Sequence, residues 1–313
     1  MLTSVRGLTA ASLSAGLLLT AAPAFALEAE SQDLAEAPAS ETAIDASISE
    51  ELLAASVAID GFAATEETPV LTTQIERASQ PVDDVTASKA AGESGIELSG
   101  NVALVSDYRF RGVSFSDGDI ALQGGIDLGH SSGLYVGTWA STISGGTDFG
   151  ELELDVYAGW SGDVAEGVTF DIGLLYYIYP TGDTPGALTD YFEPYASIGF
   201  AVGPASATVG IAYAWDQASL GDDDNLYLYT DFEYGIPDTP ITLTAHLGYT
   251  DGVFATDFDS VTFAQKSSFD WGLGASWAVT DSLALGFNYV DTEGPSVEDF
   301  TDAGFFFTLG YSM

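Results

Sequence analysis

The chain has 313 residues, 46% of them hydrophobic, with 35 Gly, 15 Tyr, 18 Phe and no Cys. That length allows one large β domain or two ordinary ones, and the lack of Cys excludes a disulfide framework, thiolate chemistry and a lipid-modified cysteine. The 47 acidic residues against 6 Lys and Arg give a formal net charge of −41, opposite to what a nucleic-acid binder needs, so the expected partners are cations or small solutes and not nucleic acid.

Residues 1–26 read as a secretory signal peptide. Arg6 supplies the positive start, Leu8 to Thr20 form a short apolar stretch, and Ala24-Phe25-Ala26 fits a small-x-small cleavage site. Residues 27–95 are acidic and rich in Ala, Glu, Ser and Thr, with Phe62 the one aromatic residue. They are expected to be a flexible periplasmic segment, with at most one short amphipathic helix through Ile44, Ile48, Leu52 and Leu53. Beyond Ala26 no run of about 18 apolar residues occurs, so no membrane-spanning helix is expected.

From residue 96 to residue 313 the texture becomes strict period-2 alternation. Leu152, Leu154, Val156 and Ala158 alternate with Glu151, Glu153, Asp155 and Tyr157. Leu226, Leu228, Thr230 and Phe232 alternate with Tyr227, Tyr229, Asp231 and Glu233. About twelve strands are expected, near 96–111, 119–129, 133–143, 150–161, 167–179, 190–203, 205–216, 224–235, 240–250, 267–278, 282–291 and 302–313. In the third, Tyr135 and Trp139 oppose Leu134 and Val136, so its faces stay ambiguous. Connections alternate between short turns, such as His130 to Ser132 and Thr280-Asp281, and longer loops, such as Gln217 to Asp223 and Thr292 to Thr301. An even strand count with its loops sorted by length predicts an all-β fold, a transmembrane antiparallel up-and-down β-barrel of the bacterial outer membrane. The bilayer is then its first partner. The last strand, with Phe305, Phe307, Leu309, Tyr311 and Met313 in alternation, resembles the terminal signal by which barrel assembly machinery is expected to engage outer-membrane proteins, with Met313 where an aromatic residue is usual.

If the apolar parity faces lipid, the other parity lines the lumen and is acidic. The expected pore-lining residues are Asp107, Arg109, Arg111, Glu153, Asp155, Asp171, Glu193, Asp231, Glu233 and Asp270. Glu153 and Asp155 stand roughly 7 Å apart on one face, and Asp171 is expected near Asp155 across the next turn. Arg109 and Arg111 share a face of the first strand, and in lipid each would cost about 2–4 kcal/mol. They belong inside or in a loop, as a wall-bracing salt bridge or as an anion contact. Asp222, Asp223 and Asp224 are a weak Ca²⁺ candidate in an outer loop, without the spacing or glycine of a dedicated site. Two histidines, His130 and His246, give no triad pattern, so neither enzymatic activity nor a cofactor is expected.

The stretch Asn101-Val102-Ala103-Leu104-Val105-Ser106-Asp107-Tyr108-Arg109-Phe110-Arg111-Gly112-Val113-Ser114, followed by Gln123-Gly124-Gly125-Ile126-Asp127, resembles the opening of the TorF-type family of porin-like proteins. The resemblance covers roughly residues 95–313 and implies a small outer-membrane pore of unassigned solute. The expectation is a narrow or partly plugged passive channel that prefers cations. The rival is a non-conducting structural or adhesive barrel whose acidic loops bind a ligand.

Overall fold

In a computed structural model, the structure describes residues 95–257 and 267–313. The expected signal peptide, residues 27–94 of the acidic segment, and Lys266 lie outside the described residues. Strands β1 (Ile96–Val105), β2 (Arg109–Phe110), β3 (Val113–Ser114), β4 (Ala121–His130), β5 (Leu134–Gly145), β6 (Gly150–Ala165) and β7 (Val168–Ile178) come first. They are followed by β8 (Tyr191–Val202), β9 (Ala205–Gln217), β10 (Asp223–Gly235), β11 (Ile241–Gly252), β12 (Ser267–Thr280), β13 (Leu283–Thr292) and β14 (Gly304–Ser312). Apart from the short pair β2–β3, each strand pairs antiparallel with its chain neighbours, and β14 returns to β1 to close a barrel of twelve strands. Closure leaves no unpaired edge, the condition for β structure to cross a bilayer.

Alternation decides which face is which. Leu98, Val102, Leu104, Ile126, Leu128, Leu134, Val136, Leu247, Phe305 and Phe307 are exposed on the outside, while their neighbours in sequence point inward. In water such a belt would cost about 25 cal/mol for each Å²; facing lipid, it is the surface of a transmembrane barrel. Tyr135 and Trp139 are buried, so the third long strand directs its large aromatics inward.

Both ends of the described barrel segment, Ile96 and Ser312, lie with the short connections, since Ile96 is registered with His130 and Ser312 hydrogen-bonds to Ser282 of the β12–β13 turn. The opposite end carries the longest connections, those between β1 and β4, β7 and β8, β11 and β12, and β13 and β14, together with a one-turn helix at Gly146–Phe149.

Two local expectations are corrected. The first strand was expected to run to residue 111, but β1 stops at Val105 and residues 106–116 turn into the barrel. The turn is set by Arg111 and Gly112, whose φ angles are 50° and 80°, and a glycine carries that left-handed backbone without a Cβ penalty. Asp155 is registered with Tyr177, and Asp171 with Ser161, so the two carboxylates are separated by six residues of strand, roughly 20 Å. The reason is turn length: β6 continues to Ala165, and only Glu166 and Gly167 join it to β7.

Candidate functional site

The functional candidate is the barrel interior, crossed near the long-loop end by the β2–β3 hairpin. The hairpin reaches opposite walls. Tyr108 packs edge-on against Trp139 of β5 at 5.5 Å between centroids, and its hydroxyl donates to Glu153 Oε1 of β6 at 3.1 Å. Phe110 meets Tyr177 of β7. Arg111 Nη2 donates to Glu193 Oε2 of β8 at 2.8 Å, and its guanidinium is stacked between Phe110 at 4.6 Å and Tyr227 of β10 at 4.1 Å. A side chain bridging β8 and β10 from a segment rooted on β1 and β4 spans the lumen.

The hairpin holds its own shape. Asp107 accepts from Ser114 Oγ at 2.6 Å and Ser116 Oγ at 3.2 Å, and it pairs with Arg109. Arg109 also donates through Nη1 to the Asp302 carbonyl at 2.7 Å in the β13–β14 loop, with its Nη2 3.6 Å from the Asp302 carboxylate. Ser114 N donates to the Phe300 carbonyl, and Ser144 N of β5 to the Phe115 carbonyl. These bonds fix the plug to both flanking walls.

Next to it lies an acidic cluster of unusual composition. Glu153, Asp155 and Glu193 are 1%, 0% and 2% exposed. Arg111 is the one cation bonded to any of them among the described residues, through Glu193. Neither oxygen of Asp155 has a hydrogen-bond partner, and one oxygen each of Glu153 and Glu193 also lacks one, as do Arg111 Nε and Nη1. Buried carboxylates at this density repel each other unless protons or cations join them. Tyr177 supports Glu193 with a hydroxyl donated at 3.1 Å and stacks on Tyr191 at 4.4 Å.

Toward the short-turn end the interior is more open. His246 of β11 is held between Asp231 of β10 at its Nδ1 and Asp270 of β12 at its Nε2, 3.0 Å away, with Tyr227 Oη 2.8 Å from Nε2. Asp171 accepts from Tyr135, whose hydroxyl also bonds Tyr195. Tyr157 donates to Asp127. Glu233 lies across from Ser206, which donates to it at 3.4 Å.

Every expected lumen residue on a long strand (Glu153, Asp155, Asp171, Glu193, Asp231, Glu233, Asp270) has the inward parity. Asp107, Arg109 and Arg111 are also inside, but on the hairpin and not on the wall. Asp222, Asp223 and Asp224 do not form an ion cage: Asp223 bonds the backbone of Asp224, Asp224 accepts from Tyr213 at 2.7 Å, and among the described residues no group of three acidic or histidine side chains is placed to hold a metal ion. Sequence reading missed Tyr108, Trp139 and Tyr191 as central contacts. Inward parity was available for Tyr191, which shares the parity of Glu193, but Trp139 lies on the strand whose faces stayed ambiguous and Tyr108 is out of phase with Asp107 and Arg109; none of the three could be foreseen to meet a folded-in loop.

The class defined by this architecture is a twelve-stranded transmembrane barrel with a hairpin folded into an acidic lumen. The chain belongs to the bacterial family described as "Bacterial protein of unknown function (Gcw_chp)", whose profile matches residues 89–311. No curated protein sequence matches it. Among solved structures it is similar to the NanC porin (13% identity, covering 69% of this chain and 99% of that one, TM-score 0.46). It is also similar to the KdgM porin (7%, 68% and 97%, 0.46) and to the COG4313 outer membrane channel from Pseudomonas putida F1 (13%, 74% and 99%, 0.41).

Proposed function

We propose that this protein is an outer-membrane channel for small solutes, narrow at the β2–β3 hairpin and selective for cations over anions. The observation that carries this reading is the sign of the inward charge. Glu153, Asp155, Asp171, Glu193, Asp231, Glu233 and Asp270 point inward from the wall, against Arg109 and Arg111 from the hairpin and His246 from β11. The two arginines are each bound to a carboxylate, so the acidic excess sets the potential of the passage. Charged rings select ions by making that potential attractive to one sign, and the effect weakens in salt as the screening length falls to about 3 Å near 1 M.

The test is the reversal potential of purified, refolded protein in a planar bilayer under a KCl gradient. The expected sign is cation-selective at low salt, declining toward neutrality at high salt. Anion selectivity at low salt would overturn the charge argument and make Arg111 the controlling group.

The second reading, a non-conducting structural or adhesive barrel, is favoured by one observation: the hairpin is packed and bonded on both sides of the lumen. Absence of conductance in the parent and in a variant lacking the hairpin would decide for it. In either reading the apolar belt seats the barrel in the outer membrane, and the alternating aromatics of β14 are the segment offered to assembly machinery.

A further inference from the structure

Above the hairpin, at the long-loop end, lies a cavity of about 560 Å³, within the range of pockets that enclose a drug-sized molecule. Its walls come from six separate stretches of the chain, among them Tyr191 of β8. Phe110 and Phe115 rise from the hairpin, Phe149 from the one-turn helix, Tyr179 from the end of β7, Phe254 from the loop after β11, and Phe300 from the β13–β14 loop. Phe149 and Tyr179 meet edge-to-face at 4.8 Å, and Phe110 and Phe115 lie 5.4 Å apart.

The serine and threonine hydroxyls on the wall are already committed to the protein. Ser114 Oγ donates to Asp107, and Ser144 Oγ to the Ser116 carbonyl. Thr301 Oγ1 donates to the Pro295 carbonyl at 2.6 Å, and Thr256 Oγ1 to the Glu293 carbonyl. Arg111 forms part of the floor; its guanidinium is covered on both faces by rings and is bonded to Glu193 through Nη2, while its buried Nε and Nη1 have no hydrogen-bond partner. An anion arriving there would meet the field of Glu193 with Asp155 and Glu153 behind it. A cation would meet the guanidinium first. Asp117, the other charged residue of the lining, is exposed at the rim.

We propose that this cavity is a binding vestibule for a small neutral aromatic molecule. Ring edges and faces supply the contacts that an aromatic guest uses, and the committed hydroxyls leave no strong reason for a charged one. This goes beyond the channel reading and does not require it, because binding is measured without ion flow.

The experiment uses the full barrel in lipid nanodiscs and three probes of equal size: benzyl alcohol, benzoate and benzylammonium. Titrations are read by calorimetry against protein-free nanodiscs. Two variants narrow the cavity from different walls, Ala255→Phe and Val297→Trp, each checked for the heat-dependent gel shift of a folded barrel. The expected result is saturable binding of benzyl alcohol, weaker by at least tenfold for both charged probes and for both folded variants. Binding of benzoate or benzylammonium as tight as that of benzyl alcohol would overturn the neutral assignment. No saturable binding of benzyl alcohol, or binding unchanged in both folded variants, would overturn the vestibule itself.

Discussion

Arg111 joins β8 to β10 across the interior, bonded to Glu193 and stacked on Tyr227. It neutralises one of the three carboxylates in the buried cluster beside the hairpin and stacks between two rings, so its removal leaves charge with no counterpart in a site shielded from water. Removing one partner from a buried pair typically costs about 3–5 kcal/mol, much of it the cost of stranding the other charge. Arg111→Ala should therefore lower barrel stability by about 3 kcal/mol, read from urea unfolding in detergent. Adding Glu193→Gln should recover a part of that loss, and a double-mutant cycle gives the coupling. An unchanged midpoint for Arg111→Ala would mean that the pair contributes nothing net. At this scale the sequence was informative about identity and poor about partners. The cost of placing arginine in lipid was enough to send Arg109 and Arg111 inside. That Arg111 would find Glu193, and Arg109 the Asp302 loop as well as nearby Asp107, depended on contacts distant in the chain that alternation does not encode.

Among the elements, the hairpin is the one whose behaviour the strand pattern concealed. Asp107, Arg109 and Arg111 alternate as neatly as any strand, and local periodicity cannot separate a wall segment from one folded inward. The strands themselves were legible because a one-residue slip would turn every apolar side chain inward, which fixes parity; register across a turn needs the turn length as well, and the Asp155–Asp171 pairing failed for that reason. Gly112 is the point at which the hairpin can be loosened. A Cβ there would stand 2.7 Å from Thr292 Cβ and 3.2 Å from Asp270 Cβ, at a φ of +80°. Gly112→Ala should destabilise by more than about 1 kcal/mol and raise single-channel conductance above that of the parent. A variant with parental conductance and parental stability would show that the hairpin tolerates displacement without opening the lumen.

For the whole molecule, orientation follows from the sorting of its connections. Short turns lie at one end and long loops at the other, the arrangement of barrels whose loops face outward. Cysteines placed by Asp223→Cys and Thr184→Cys should react with an impermeant thiol reagent on intact cells, and Asp281→Cys should not. Labelling of Asp281→Cys alone would invert the barrel. The seam between β1 and β14 has a separate consequence for how the chain reaches this state. Eleven of the twelve junctions join strands close in sequence, so each can form as a local hairpin. The remaining one brings Ser106 to Phe307, 201 residues away, and its register spans five pairs, Asn101–Val105 with Thr308–Ser312, against ten for β1 with β4. Closing a loop of that size carries an entropic cost that grows with the logarithm of its length, and few bonds offset it before the neighbouring hairpins are in place. Such non-local pairing is slow to form. The ring is therefore completed last, and until then the chain is an open, curved sheet with two sticky edges, the stage at which it is most exposed to pairing with a neighbour.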